Sequence, residues 1–406
     1  MSSRSSDNGG SEAEASATAT DRLKDDARRS VESQLPALVE LSHAIHDHPE
    51  TAFDEERAAG WSAEVLAGSG FTVTPGVAGL PTAFSAESGS GPLVVAVCAE
   101  YDALPGIGHA CGHNLIAASA VGAAIGLAGV ADRLGLTVRL LGTPGEEGGG
   151  GKVLMLEQGA FDDVHAAMMV HPWPVDRLVA TCLAVSHFDV IFTGRSAHAS
   201  AAPWEGINAA DAMVVSQVAI GLLRQQLRPG DQVHGVVLDS GGAANVIPER
   251  VTGRFMCRSI TLARLEELEP KVRACFEAGA LATGSRVAYE SLSPVYSHME
   301  SDGDLLGLYR SNAERLGRRF DLDDEGVPPP TLSTDMANVS LAVPTIHPLM
   351  GIEAGGAVNH QPEFAAACVS ESADKALHDA AIAMAWTAID AAAPGPVRER
   401  LLAGSR

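Results

Sequence analysis

At 406 residues the chain is long enough for two to three domains, and a hydrophobic content of 46% supplies ample core. A formal charge of −23 repels phosphate backbones, so nucleic acid is not an expected partner. Six cysteines, at positions 98, 111, 182, 257, 275 and 368, lack CxxC spacing, which excludes a disulfide-stapled miniprotein and reads as free thiols in a reducing compartment.

Residues 1–20 are rich in Ser, Gly, Ala and acidic residues that cannot repay the entropy of ordering, so a disordered tail is expected there. The same stretch has no apolar core of a secretory leader, and a cytoplasmic protein is expected. Val31, Leu35, Leu38, Ser42 and Ile45 share one face of a helix over 21–46 that Pro36 is placed to kink. A second helix over 54–69 ends at Gly70.

Three short apolar runs follow, Pro92–Cys98, Leu136–Leu141 and Ala166–Val170, with helical stretches over 114–134 and 152–158 between them. Continuous apolar runs alternating with helices describe strands buried on both faces, hence an α/β fold with a mixed, mostly parallel sheet flanked by helices. The most apolar segment, Leu115–Val130, is dominated by Ala and Gly and suits a packed internal helix rather than a bilayer span, so no membrane partner is expected.

After Ala184 the pattern changes to alternation, in 186–193, 232–238 and partly 251–257, with helices over 206–227 and 262–283. Alternation implies a sheet with one wet face, and 184–296 reads as an α+β domain inserted between two parts of the first, 21–183 and 297–406. The second part continues with a helix over 301–316, a strand over 345–349 and a closing helix over 363–392.

In parallel sheets the chemistry gathers beyond the carboxyl ends of the strands, and three strands deliver ionisable residues there. The first leads into Asp102 and the segment His109-Ala110-Cys111-Gly112-His113-Asn114. In an extended loop Cys111 and His113 can converge on one ion. Asn114 is expected to cap the following helix, whose amino end would favour a Cys111 thiolate. Taken alone, the pair reads as a buried thiol beside a loop histidine.

The second strand leads into Glu146-Glu147 and four glycines. Adjacent like charges gain nothing for stability, but a site needing one metal-ligating and one proton-transferring carboxylate uses both. The third leads into His171 in a Pro-rich turn, and His360 stands before the last helix. One thiol, three imidazoles and two carboxylates, with Asp102 placed to orient a ligand, suit a borderline divalent ion such as Zn²⁺ or Mn²⁺.

The ordered motifs DALPGIGHACGHN, PGEE, HPWP, GRSAHAS, NVIP and NHQPEF, with HDHPETAFDEE near the amino end, resemble the M20 metallopeptidase family. They are most similar to its amidohydrolase branch, which contains aminoacylase-1-like and p-aminobenzoyl-glutamate hydrolase proteins. The resemblance implies two metal ions held by Cys111, His113, Glu147, His171 and His360, with Cys111 bridging. It implies Glu146 as general base, Asp102 orienting the metal site and His198 polarising the substrate carbonyl. Asn245 and Arg258 are implied as groups binding a substrate carboxylate, and the inserted domain as a lid through which a homodimer forms. Asn114 stands where many members of that branch have Asp.

The expected activity is therefore metal-dependent hydrolysis of the amide of an N-acyl amino acid, an aminobenzoyl-glutamate-like compound or a small dipeptide bearing a free carboxylate. The alternatives are a catalytically inactive metal-binding or scaffold protein of the same family, and a thiol hydrolase using Cys111. Ser333-Thr334-Asp335-Met336 also fits the family but has no assigned role.

Overall fold

A computed structural model describes residues 8–404. The chain opens with helix α1 (Asn8–Asp47) and α2 (Glu56–Gly68), then lays down β1 (Thr72–Pro75), β2 (Phe84–Gly89) and β3 (Leu93–Ala99). Helix α3 (His113–Ala128), β4 (Leu136–Gly142), α4 (Gly151–Glu157) and β5 (Ala166–Met168) follow.

The chain then leaves for β6 (Ala184–Thr193), α5 (Ala209–Leu223), β7 (Gln232–Asp239), β8 (Arg250–Ser259), α6 (Leu262–Thr283) and β9 (Arg286–Ser291). It returns with α7 (Gly303–Arg315), α8 (Met336–Ala342), β10 (Thr345–Ile346), α9 (Pro362–Ala367) and α10 (Glu371–Ala392).

The main sheet has the order β1-β2-β4-β3-β5-β10. Its β4, β3, β5 and β10 run parallel, and the β1–β2 hairpin adds an antiparallel edge. Strand β3 is buried along its length: Leu93, Val95, Val97 and Ala99 face one core, and Val94, Ala96 and Cys98 face the other. That two-sided burial is why its sequence is continuously apolar.

On the first face α1, α3 and α10 pack against one another. A Cβ at Gly122 would lie 2.9 Å from Leu38 and 3.0 Å from Ala381, so only glycine lets the three helices approach this closely. The expected internal helix over 115–130 is thus found as α3, with every residue from His113 to Leu127 buried.

The second sheet, β9-β6-β8-β7, is antiparallel throughout and encloses its own core with α5 and α6, centred on Phe188, Phe255 and Phe276.

Several expectations shift in detail. Helix α1 begins at Asn8, so of the expected tail only residues 1–7 lie outside the described residues. The Ala- and Glu-containing run there has adequate helix propensity once a long helix is nucleated downstream. Pro36 sits inside that single helix, whose Val31, Leu38 and Leu41 are held in the core. The closing helix is two, parted at Cys368-Val369-Ser370, where Ser370 Oγ caps α10 by accepting from Ala373 N at 3.3 Å. The strand over 345–349 divides at His347-Pro348, because proline offers no ladder donor, and Leu349–Gly351 pairs instead with His171–Trp173.

Candidate metal and substrate site

The carboxyl ends of β4, β3 and β5 lie side by side, so the loops after them meet at one sheet edge. Asp102 follows β3, Glu146 and Glu147 follow β4, His171 follows β5, and Cys111 precedes α3, which His113 opens. Three donor sets converge there, one of them Glu100, His113 and Glu146. Cys111, His113 and His171 present one ligand atom each within 4.8 Å of one another, and so do Cys111, Glu147 and His360. Cys111 is common to these last two.

The hydrogen bonds show which atoms are free. His113 Nδ1 is 3.0 Å from Asp102 Oδ1, and its Nε2 has no hydrogen-bond partner. His171 Nδ1 donates to the Pro172 carbonyl at 2.7 Å, which frees its Nε2. Glu147 Oε1 likewise lacks a hydrogen-bond partner, while His360 Nε2 stands 3.8 Å from it. Such bonds on the far nitrogen fix the tautomer that a metal-ligating histidine needs. Asp102 also accepts the Glu147 backbone N–H at 2.8 Å on its other oxygen, locking the two loops together.

Burial lowers His171 to about 4, so it is a neutral ligand at ordinary pH. Burial alone would lower His113 too, but the Asp102 carboxylate outweighs it and holds the pKa well above the ordinary value. Burial pushes the Cys111 thiol up, the neighbouring His113 pulls it down, and the Glu147 carboxylate adds to the rise. A cation reverses that balance. Burial, then the Glu100 and Glu147 carboxylates, raises Glu146 well above the carboxylate range.

The backbone is shaped for this arrangement. Gly112 has φ 74°, and a Cβ there would meet Pro172 at 2.9 Å. His360 adopts φ 70°, a left-handed conformation that costs a non-glycine residue energy and marks functional turns. Its N–H donates to the Ala110 carbonyl at 3.0 Å, tying it beside Cys111. Asn114 is not the expected cap. It lies inside α3, capped in position by Gly112, and its amide donates to Ser42 Oγ at 2.9 Å and the Cys368 carbonyl at 3.1 Å. A carboxylate could not donate to the Cys368 carbonyl.

A cavity of about 580 Å³ opens over the donors, lined among others by Glu146, His171, Trp173, Arg258 and His347. Arg258 Nη1 donates to Ser333 Oγ at 2.9 Å, and among the described residues no carboxylate pairs with it. His198 and Asn245 are not in this cavity. They sit on exposed loops next to each other, where Ala199 N donates to the Asn245 carbonyl at 2.9 Å.

Sequence reasoning passes over four supporting residues. Fully buried Lys152 lies 2.5 Å from Glu100 Oε1 and 2.7 Å from Asp335 Oδ1, which gives Asp335 its place. Buried Glu55 accepts from Gly145 N at 2.8 Å, holding the Glu146 turn. His347 follows β10, the fourth parallel strand, although its sequence position suggests only a surface or structural histidine. A strand–polar-residue junction after each apolar run is the signal that could have found Glu100 and His347; nothing local marks Glu55 or Lys152.

A profile of peptidase family M20/M25/M40 matches residues 96–380. The Xaa-Arg dipeptidase of Mus musculus is 38% identical over 391 residues, covering 92% of this chain and 90% of that protein. A p-aminobenzoyl-glutamate hydrolase chain of Escherichia coli is 34% identical, covering 66% of this chain and 59% of its own length. Among solved structures, a dinuclear metal-binding peptidase of the M20 family from Bacillus subtilis superposes with a TM-score of 0.67 at 21% identity, covering 88% of this chain and 98% of that one. An aminobenzoyl-glutamate utilization protein from Klebsiella pneumoniae gives 0.68 at 18% identity, covering 89% and 97%. At those identities the structural likeness establishes the fold.

Proposed function

The chain belongs to peptidase family M20/M25/M40 and is a hydrolase, and from that premise we propose that it cleaves the amide bond of a small N-acyl amino acid, aminobenzoyl-glutamate-like compound or dipeptide with a free carboxylate. The observation that carries the reading is the pair of donor triads sharing Cys111 under a cavity that also holds Glu146.

The donors fit a pair of divalent cations: thiol, imidazole and carboxylate atoms converge, and His113 Nε2 and Glu147 Oε1 are left without hydrogen-bond partners. His113 and His171 would hold one ion and Glu147 and His360 the other, with Cys111 between them. Bound there, Zn²⁺ or Mn²⁺ supplies Lewis-acid activation of water and of the amide carbonyl.

Glu146 accepts the proton of the attacking water and returns it to the leaving amine, a role worth ~10²–10⁴-fold. Asp102 keeps His113 in the tautomer with Nε2 facing the donors. Arg258, lacking an internal carboxylate, pairs with that of the substrate.

His198 and Asn245 reach a site from a second copy of the chain. Support for a homodimer comes from the inserted domain: Val214, Val218 and Leu222 form an exposed apolar stripe on α5, and Val236 and Leu238 are exposed on edge strand β7. An apolar stripe beside an unpaired strand edge is a surface that association covers. All six cysteines are free, which supports a cytoplasmic setting.

The test is to load the protein with Zn²⁺ or Mn²⁺ and assay Xaa-Arg dipeptides, p-aminobenzoyl-glutamate and N-acetyl amino acids. Turnover of at least one, abolished by EDTA and by Glu146→Ala with metal content retained, is expected. Activity surviving EDTA but lost on thiol alkylation would instead identify Cys111 as a nucleophile.

A further inference from the structure

Among the residues lining the cavity, His347 is a buried histidine that neither the metal donors nor the general base accounts for. It leaves the carboxyl end of β10, so the fourth parallel strand delivers to the same edge as the other three. It is 3% exposed, and neither ring nitrogen has a hydrogen-bond partner. Its ring stands edge-on to His171, with centroids 5.6 Å apart, yet His347 belongs to none of the donor triads. Pro348 follows it, and the backbone on either side is held by the main sheet and by the pairing of Leu349–Gly351.

A buried polar group with no partner is a standing cost to the folded state, and native proteins keep such groups where a ligand completes them. A leucine or phenylalanine would fill the same space without that cost. His347 lines the cavity that opens over the donors, where an entering group can supply the missing partner.

We propose that His347 is a catalytic residue of this same site, donating a hydrogen bond from its neutral imidazole to the carbonyl oxygen of the scissile amide and to the oxyanion formed as water adds to that carbon. Bond making is between the water oxygen and the carbonyl carbon, with the water proton passing to Glu146; His347 contributes a donor and transfers no proton. The assignment rests on the hydrolase reading above. It makes the chain's own catalytic domain the source of one oxyanion donor, whatever a second subunit adds.

Preorganised donors of this kind are worth about 10²–10³ in kcat each. His347→Phe is expected to lower kcat by about that factor with KM changed less than about threefold. Metal content measured by elemental analysis should stay at the parental level, and the melting temperature should stay equal or rise, because the orphaned nitrogens are removed. His347→Gln, which keeps an N–H donor, should recover part of the loss. A purely packing role would lower the melting temperature and leave kcat alone, and a ligand role would lower metal content; either result overturns the proposal, as does unchanged kcat in His347→Phe. If the loaded parent cleaves no amide in the panel, the hydrolase reading fails by itself. His347 is then read from calorimetric titration of the metal-loaded protein with a phosphonate analogue of the tetrahedral adduct of N-acetylglycine: affinity lowered at least about tenfold in His347→Phe is expected, and no binding to the parent, or unchanged affinity in the variant, refutes its contact with the oxyanion.

Discussion

Replacing Glu55 by Gln tests whether the turn carrying Glu146 is held by a buried acid that is strained at neutral pH. Glu55 is fully buried, with one oxygen accepting from Gly145 N at 2.8 Å and the other from Thr82 Oγ1 at 2.9 Å. Burial raises it from 4.5 to about 7, and the Asp102 carboxylate adds to the rise. An acid whose folded pKa lies above its unfolded value gives its full stabilisation below about pH 4.5 and loses it as pH climbs through about 7. At about 1.4 kcal/mol per pH unit over that interval, ionisation costs the parent about 3 kcal/mol above pH 8.

In Glu55→Gln the amide oxygen keeps the Gly145 bond and the amide nitrogen donates to the Thr82 hydroxyl, with nothing left to ionise. Scanning calorimetry of the metal-free proteins should find the two equal near pH 5 and the variant more stable by about 3–4 °C at pH 8.5, for a chain of this length. The difference between the two cancels every other titration. Parallel stability profiles from pH 5 to 8.5, or a variant weaker throughout, would refute the reasoning.

Lys152→Met strands Glu100 and Asp335 without a cation at zero exposure, and urea denaturation should show a loss of about 3–5 kcal/mol, against less than about 1 if the triad is incidental. Asp102→Asn loosens both the His113 tautomer and the Glu147 turn and should weaken metal affinity about 10–100-fold in chelator competition. Mixing inactive His198→Ala with inactive Glu146→Ala under exchange of subunits should restore about a quarter of the parental activity if the second copy supplies His198, since one site in each heterodimer is then intact; no recovery places His198 in its own subunit.

The parallel sheet was legible because β3 and β5 are apolar on both faces and β4 is nearly so, interrupted by Thr137 and Arg139 on one face, and a strand needs such a sequence only when helices cover both sides. The β1–β2 hairpin and β9 were not, since Thr72–Pro75, Phe84–Gly89 and Arg286–Ser291 are short, partly exposed and carry no unbroken apolar run. The thiol, imidazoles and carboxylates of the site were legible as residue types at strand ends. The role of Asn114 was not: an Asn before an apolar helix reads as a cap, and only the approach of Ser42 and Cys368 reveals a buried tie.

The sequence by itself determined the buried parallel strands, the loops that carry ionisable residues beyond them and, through ordered motifs, the family. Folding alone decided that Cys111 serves two of the triads, that His198 and Asn245 stand apart from them, and that Lys152, Glu55 and His347 support or line the cavity. The reason is physical: periodicity and residue type are local properties, whereas convergence within a few ångströms and the desolvation that shifts a buried acid or orphans an imidazole are properties of neighbours distant in the chain.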